Sequence, residues 1–172
     1  MHDGQLIRCT SEPYINHLIV VAHTARPLTA FGYEIGLCHD LLEQTAVTDR
    51  SLFDALVSFD YSRTDAAFIV GCVKQLTDVF SGQAYPELGK KERRQREAAR
   101  LLTISAAAQT VKYADLLYNI GWVGDFEKRK TKAVRYLLEK QRLLNAMDKG
   151  DPGLRTQALT MIIHSLEFFE KP

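Results

Sequence analysis

The chain has 172 residues, of which 46% are hydrophobic and 25% are charged, with a formal net charge of +1. These values are typical of one globular domain with a sizeable core, and the near-neutral charge does not fit a dedicated nucleic-acid binder. No apolar run approaches the roughly 20 residues that span a bilayer and no signal-peptide pattern is present, so we expect a cytoplasmic protein.

Hydrophobic periodicity predicts an all-α protein. The predicted helices cover 14–25, 31–44, 51–58, 64–79, 91–119, 125–147 and 153–169. Gly121 and Gly124 are expected to end the helix that begins at 91. We predict a compact bundle forming a single domain over 1–172, with its core at about 4–147 and a C-terminal helix at about 153–169.

Ionisable residues interrupt the first two apolar patterns. His17 stands among aliphatic residues in "PYINHLIVVA", where a hydrogen-bonded core histidine is the simplest interpretation. In "GLCHDLLEQT", His39, Asp40 and Glu43 lie within a helical pattern, and Asp40 shares a helix face with Glu43 and Gln44. Burying such groups costs several kcal/mol unless they are paired or bind a metal, so the cluster predicts a functional site.

A glycine- and proline-containing segment, "FSGQAYPELGK" at 80–90, predicts a mobile loop that could close over a ligand. The basic run "KKERRQREAAR" follows at 90–100. Cations at a helix start oppose the helix dipole, and a bound phosphate would relieve that conflict. For Lys90 and Arg94 we keep both interpretations, a phosphate contact or a solvated surface; for the rest of the run we expect a solvated face.

Asp115, in "TVKYADLLYNI", falls on the predicted buried face of its helix. It is either paired with a neighbouring cation or helix end, or it is a metal ligand. Together with His17, His39 and Asp40 it would form a mixed nitrogen and oxygen site, which suits Mn²⁺, Fe²⁺ or Co²⁺. Because such an ion activates water and polarises a phosphoryl oxygen, we predict a phosphohydrolase.

These stretches, with "LTD" at 76–78 and "KKERRQREAARL", occur in the order found in HD-domain hydrolases of the RelA/SpoT type. The chain most resembles their single-domain members, from about residue 4 to "RYLLEKQRLL". The resemblance implies an all-α HD-domain bundle with a central Mn²⁺ bound by His17, His39, Asp40 and Asp115. It also implies an enzyme that removes the 3′-pyrophosphate from guanosine tetra- and pentaphosphate.

The resemblance further implies roles for the residues around that metal. The catalytic positions of the family are matched by Glu43, Gln44 and Asp40. Its substrate-binding positions are matched by Arg8 near the base, Lys90 and Arg94 near phosphates, and Lys112 and Asn119 in the "VKxADxLxN" box, where the asparagine lies near the ribose.

The chain departs from the family pattern at three positions. Gln44 replaces an aspartate, Gly121 an arginine and Cys9 a lysine. A neutral amide at 44 cannot accept a proton, which leaves two alternatives open: a phosphohydrolase of NADPH or a nucleoside phosphate, and a nucleotide-binding protein without turnover. In each case we expect a small-molecule nucleotide as partner, with neither nucleic acid nor membrane, and the sequence gives no oligomeric state.

Overall fold

The computed structural model describes residues 4–7 and 9–170, and over these ranges the chain is all-α, which confirms the predicted fold class. The helices are α1 (Ile15–Ala25), α2 (Gly32–Cys38), α3 (Leu41–Gln44), α4 (Asp49–Ser58), α5 (Arg63–Leu76), α6 (Lys90–Leu101), α7 (Ala106–Phe126), α8 (Lys130–Ala146) and α9 (Pro152–Glu170). Among these described helices, none combines the length and hydrophobicity of a transmembrane span.

Helix α7 lies at the centre of the bundle. It packs against α1, α2, α5, α8 and α9, and much of its surface is buried, including the charged residue Asp115. One hydrophobic cluster extends from Val21 in α1 to Ile162 in α9. Burial of this cluster supplies most of the driving force for folding. The division of 1–172 into a single domain stays a prediction.

Two glycines let α1 and α2 approach closely. A Cβ atom built on Gly36 would lie 2.7 Å from the Ala22 Cα atom, and one built on Gly32 would lie 2.2 Å from the Ala25 carbonyl oxygen. Any larger residue would therefore force the two helices apart. This close approach brings His17, on α1, towards His39, which follows α2 directly.

The helix predicted at 31–44 is broken after Cys38, so that prediction is wrong in its continuity. Asp40 has φ −99° and ψ 0°, outside the helical region, and is the N-cap residue of α3. The Gly36 carbonyl oxygen lies in the last turn of α2, and the His39 Nδ1 atom lies 2.7 Å from it. The break turns the His39 and Asp40 side chains towards the same centre.

The helix predicted at 91–119 is also two helices. Leu101 ends α6, and Ser105 caps α7 by accepting a hydrogen bond from the Ala108 amide. The expected end at Gly121 and Gly124 is likewise wrong, because α7 continues to Phe126. Both glycines face α9, and because they carry no side chain they leave space for side chains of α9.

Candidate metal centre

Three buried side chains from three parts of the chain meet beside α7. The Nε2 atoms of His17 and His39 are 3.3 Å apart, and they lie 3.5 and 3.7 Å from Asp115 Oδ1. Each residue offers one ligand atom, and these atoms all lie within 4.8 Å of one another. The structure thus brings together three of the four predicted ligands in a space suited to one cation.

Asp40, the fourth predicted ligand, borders this triad. Its Oδ2 atom is 3.3 Å from His39 Nε2 and accepts a hydrogen bond from the Tyr14 hydroxyl. Burial alone would raise the pKa of Asp40, but the hydrogen bonds from His39 and Tyr14 outweigh it and lower the pKa well below its usual range. Asp40 is therefore a carboxylate, the form that binds a metal.

The histidine environments favour Nε2 as the ligand atom. The Nδ1 atom of His39 donates to the Gly36 carbonyl oxygen, so Nε2 is the ring atom that faces the triad; it donates to Asp40, and loss of that proton would free its lone pair for a metal. The Nδ1 atom of His17 is buried without a hydrogen-bond partner among the described residues. Burial lowers the pKa of His17, so its imidazole is neutral near pH 7. His39 has a raised pKa, because Asp40 and Asp115 outweigh its burial.

The Asp115 carboxylate is held from both sides. Its Oδ2 atom accepts a hydrogen bond from Lys112 Nζ at 2.7 Å, and its Oδ1 atom accepts one from Asn119 Nδ2 at 2.6 Å. Burial opposes ionisation of Asp115, but the positive charge of Lys112 outweighs it and the pKa is lowered. Both interpretations of Asp115 therefore find support, since it pairs with a lysine and also faces two imidazoles.

The donor set fits a divalent transition-metal ion. It consists of two imidazoles and two ionised carboxylates, with no thiolate, and it is buried except on the side of Asp40. Such mixed nitrogen and oxygen sets suit Mn²⁺, Fe²⁺ or Co²⁺. Two acidic groups this close to two imidazoles would also be stabilised by a cation between them.

A cavity of about 300 Å³ opens onto this centre. His17, Asp40 and Asp115 form part of its wall. The other polar and aromatic lining residues are Tyr14, Glu43, Asp78, Lys112, Tyr118, Asn119 and Trp122. A polar cavity with aromatic residues beside an ion site is suited to a small phosphorylated ligand.

The remaining predicted site residues lie elsewhere. Gln44 is exposed and is not part of the cavity wall. Lys90 is exposed at the start of α6, and Arg94 pairs with Glu139 at 3.3 Å, so neither reaches the cavity in this structure. Arg8 lies outside the described residues.

The expectation of a solvated face for the rest of the basic run is wrong for Glu97 and Arg100. Glu97 is buried and accepts hydrogen bonds from the Val79 and Phe80 amides at 3.1 and 3.2 Å. Arg100 pairs with Glu97 and donates to the Thr77 carbonyl oxygen at 3.1 Å. We call these two residues the Glu97–Arg100 clamp, because together they hold the segment that follows α5.

Sequence reasoning assigned no role to Asp78 or Tyr14. Asp78 belongs to the "LTD" stretch, which contributes to the family resemblance but predicts no role for this residue. Tyr14 lies three residues before His17, a spacing that places the two side chains side by side. That spacing is a signal that the sequence does offer, and it points to a tyrosine at the centre.

Comparisons with known proteins support this architecture. No protein-family model matches the sequence, and neither does any curated protein sequence. A solved structure does match, with a TM-score of 0.75 and 20% identity over 95% of this chain and 87% of the other. It is described as a metazoan ortholog of SpoT that hydrolyzes ppGpp and plays a role in starvation responses. The match shows that this chain shares its overall fold with that structure.

Proposed function

We propose that this protein is a metal-dependent phosphohydrolase that removes the 3′-pyrophosphate from guanosine tetra- or pentaphosphate. The observation that carries the proposal is the meeting of His17, His39 and Asp115 at the wall of a cavity. The fold shared with a protein described as hydrolysing ppGpp adds to it. We also propose that the ion is Mn²⁺ and that the enzyme acts in the cytoplasm, where nucleotides of this kind would be its substrates.

The ion would be held by His17, His39, Asp40 and Asp115. When bound, it would supply Lewis-acid polarisation of a phosphoryl oxygen. The Gly36 carbonyl oxygen fixes the tautomer of His39, and Asn119 orients the Asp115 carboxylate. These contacts hold the ligand atoms in place before an ion arrives, which lowers the free-energy cost of binding.

Hydrolysis requires water to attack the phosphorus that carries the ribose 3′ oxygen. The bond between that phosphorus and the 3′ oxygen breaks, one proton leaves the water, and one is delivered to the 3′ oxygen. Glu43 lines the cavity three residues after Asp40, beside the ion site. Burial and the nearby Asp78 raise the pKa of Glu43, which suits a group that accepts a proton from water.

The cavity residues also supply groups for the substrate. The Lys112 ammonium faces the cavity, and Asp115 and other acids raise its pKa despite its burial, so it remains charged. A fixed cation there would attract the phosphates of a nucleotide. The aromatic rings of Tyr118 and Trp122 in the same wall offer apolar surface for the nucleoside.

A turnover assay tests the proposal. Purified protein with Mn²⁺ should convert ppGpp to GDP and pyrophosphate, and Glu43→Gln should reduce kcat by about 10²–10⁴-fold. Glu87→Gln, an exposed residue in the segment before α6, is the matched control and should keep full activity. A panel with NADPH and nucleoside phosphates covers the alternatives. Turnover of one of these in place of ppGpp would overturn the substrate, and nucleotide binding without turnover would overturn the enzyme.

A further inference from the structure

The substitution at residue 44 raises the question of where a second proton-handling group could come from. In the structure Gln44 is exposed, and its backbone carbonyl accepts a hydrogen bond from Gln5. It does not line the cavity. Apart from the predicted metal ligands Asp40 and Asp115, the described cavity wall nevertheless contains a carboxyl group in addition to that of Glu43, and it belongs to Asp78.

The backbone of Asp78 is in direct contact with the side chain of Glu43. The Asp78 amide donates a hydrogen bond to Glu43 Oε2 at 3.3 Å, although the two residues are 35 positions apart. Both line the same cavity, at its open side. The contact therefore holds Glu43 in place and sets the two carboxyl groups in one wall, where Lys112 is the cation that affects both.

The position of Asp78 is fixed by contacts on both sides of it. The Glu97–Arg100 clamp binds the backbone of Thr77, Val79 and Phe80. Arg100 also donates to the Gln75 carbonyl oxygen at 2.8 Å. Burying the Glu97–Arg100 ion pair carries a desolvation cost. A loop residue that serves only solubility would not need a buried ion pair to hold its backbone.

We propose that Asp78 is the second catalytic carboxyl group of this site, delivering a proton to the 3′ oxygen of the leaving nucleotide while Glu43 accepts one from the attacking water. The inference rests on the proposed function. The balance is that of hydrolysis: the water oxygen bonds to phosphorus, the bond from phosphorus to the 3′ oxygen breaks, and one proton is accepted while another is delivered.

Burial and charged neighbours both act on the Asp78 carboxyl group. Partial desolvation at the cavity wall raises the pKa of the Asp78 carboxyl, although its side chain is exposed at the open side, and the opposing effect of the Lys112 ammonium does not cancel it. A carboxyl group with a raised pKa retains its proton to higher pH, as a proton donor must. The charged groups that act on Asp78 or contact it include Glu43, Glu97, Arg100, Lys112 and Lys140, and Asp49 and Lys74 line a neighbouring cavity together with it.

The test uses Asp78→Asn, which keeps the backbone donor to Glu43 and the size of the side chain. With ppGpp and Mn²⁺, kcat should fall by at least about 100-fold, and the decline of kcat on the alkaline side of the pH profile should disappear. Melting temperature and Mn²⁺ affinity should stay at wild-type values. Asp78→Glu should recover part of the lost activity, and Asp125→Asn, at an exposed residue near the end of α7, should match wild type.

Each other result overturns the inference in a way that can be told apart from the rest. If wild type hydrolyses ppGpp and Asp78→Asn stays within about threefold of it, Asp78 has no catalytic role and the proposed function stands. If Asp78→Asn loses Mn²⁺ affinity or melting temperature along with activity, its role is structural. If wild type hydrolyses no nucleotide in the panel, the proposed function fails and the role of Asp78 fails with it.

Discussion

Replacing Gly36 by alanine should damage both the fold and the metal centre, because it separates α1 from α2. The new Cβ atom would lie 2.7 Å from Ala22 Cα and 2.9 Å from Ala22 N, both backbone atoms that cannot rotate away. Ordinary van der Waals contact begins at 3.4 Å, which is about 0.7 Å more than the shorter distance. Overpacking of this kind costs about 1–3 kcal/mol, of which the better helix propensity of alanine returns up to about 1 kcal/mol.

With the full gain subtracted, the net loss of unfolding free energy is up to about 2 kcal/mol, which corresponds to a fall in melting temperature of up to roughly 8 °C for a chain of this size. Separation of the helices should also lengthen the 3.3 Å distance between the His17 and His39 Nε2 atoms, so Mn²⁺ affinity should fall. Gly71→Ala is the matched control, since a Cβ atom there meets no other atom within 4 Å, and it should raise the melting temperature slightly. Calorimetry and Mn²⁺ titration measure both effects. Equal stability and equal Mn²⁺ affinity for the two variants would refute the reasoning.

Three further perturbations test the charges and the ion. Removing bound metal with EDTA should lower the melting temperature by roughly 5–10 °C if the ion is present at 100 times its Kd; a melting temperature insensitive to EDTA would contradict the metal centre. Lys112→Met removes the partner of the Asp115 carboxylate and should cost about 3–5 kcal/mol without metal, while Mn²⁺ should raise the variant's melting temperature more than that of wild type; equal increases would argue against competition for Asp115. Burial opposes ionisation of Glu97, but pairing with Arg100 lowers its pKa. The ionised Glu97 side chain therefore stabilises the folded protein fully above the unfolded pKa of about 4.3, and this stabilisation is lost as the pH falls through the lower folded pKa. Denaturant unfolding of Glu97→Gln and wild type should therefore differ at pH 7 and converge at the acid end, and a constant difference would rule out this titration.

The sequence could predict which side chains meet at the centre because each interrupts an apolar helical pattern. A histidine or aspartate in such a pattern carries a local signal, and the structure brings His17, His39 and Asp115 within reach of one another. Periodicity gives the face of a helix on which a residue lies, and this was sufficient for Asp115 on α7.

Helix breaks and loop contacts could not be predicted in the same way. Hydrophobic spacing continues through His39 and Asp40 without a local stop signal, so it does not predict the break between α2 and α3. The Glu97–Arg100 clamp binds backbone groups up to 25 residues earlier in the chain. A charge run gives no sign of such distant partners, and for this reason Asp78 received no role from the sequence.

Manganese binding to wild type and to two histidine variants on α1 tests the central claim most directly. His17→Gln removes a proposed ligand whose Nδ1 atom has no hydrogen-bond partner among the described residues, whereas His23→Gln changes an exposed histidine of the same helix. Titration followed by electron paramagnetic resonance should find one Mn²⁺ per chain for wild type and for His23→Gln. For His17→Gln we expect affinity to fall by more than the 10–100-fold typical of residues that only support a ligand. Equal Mn²⁺ affinity in all three proteins would contradict the metal centre.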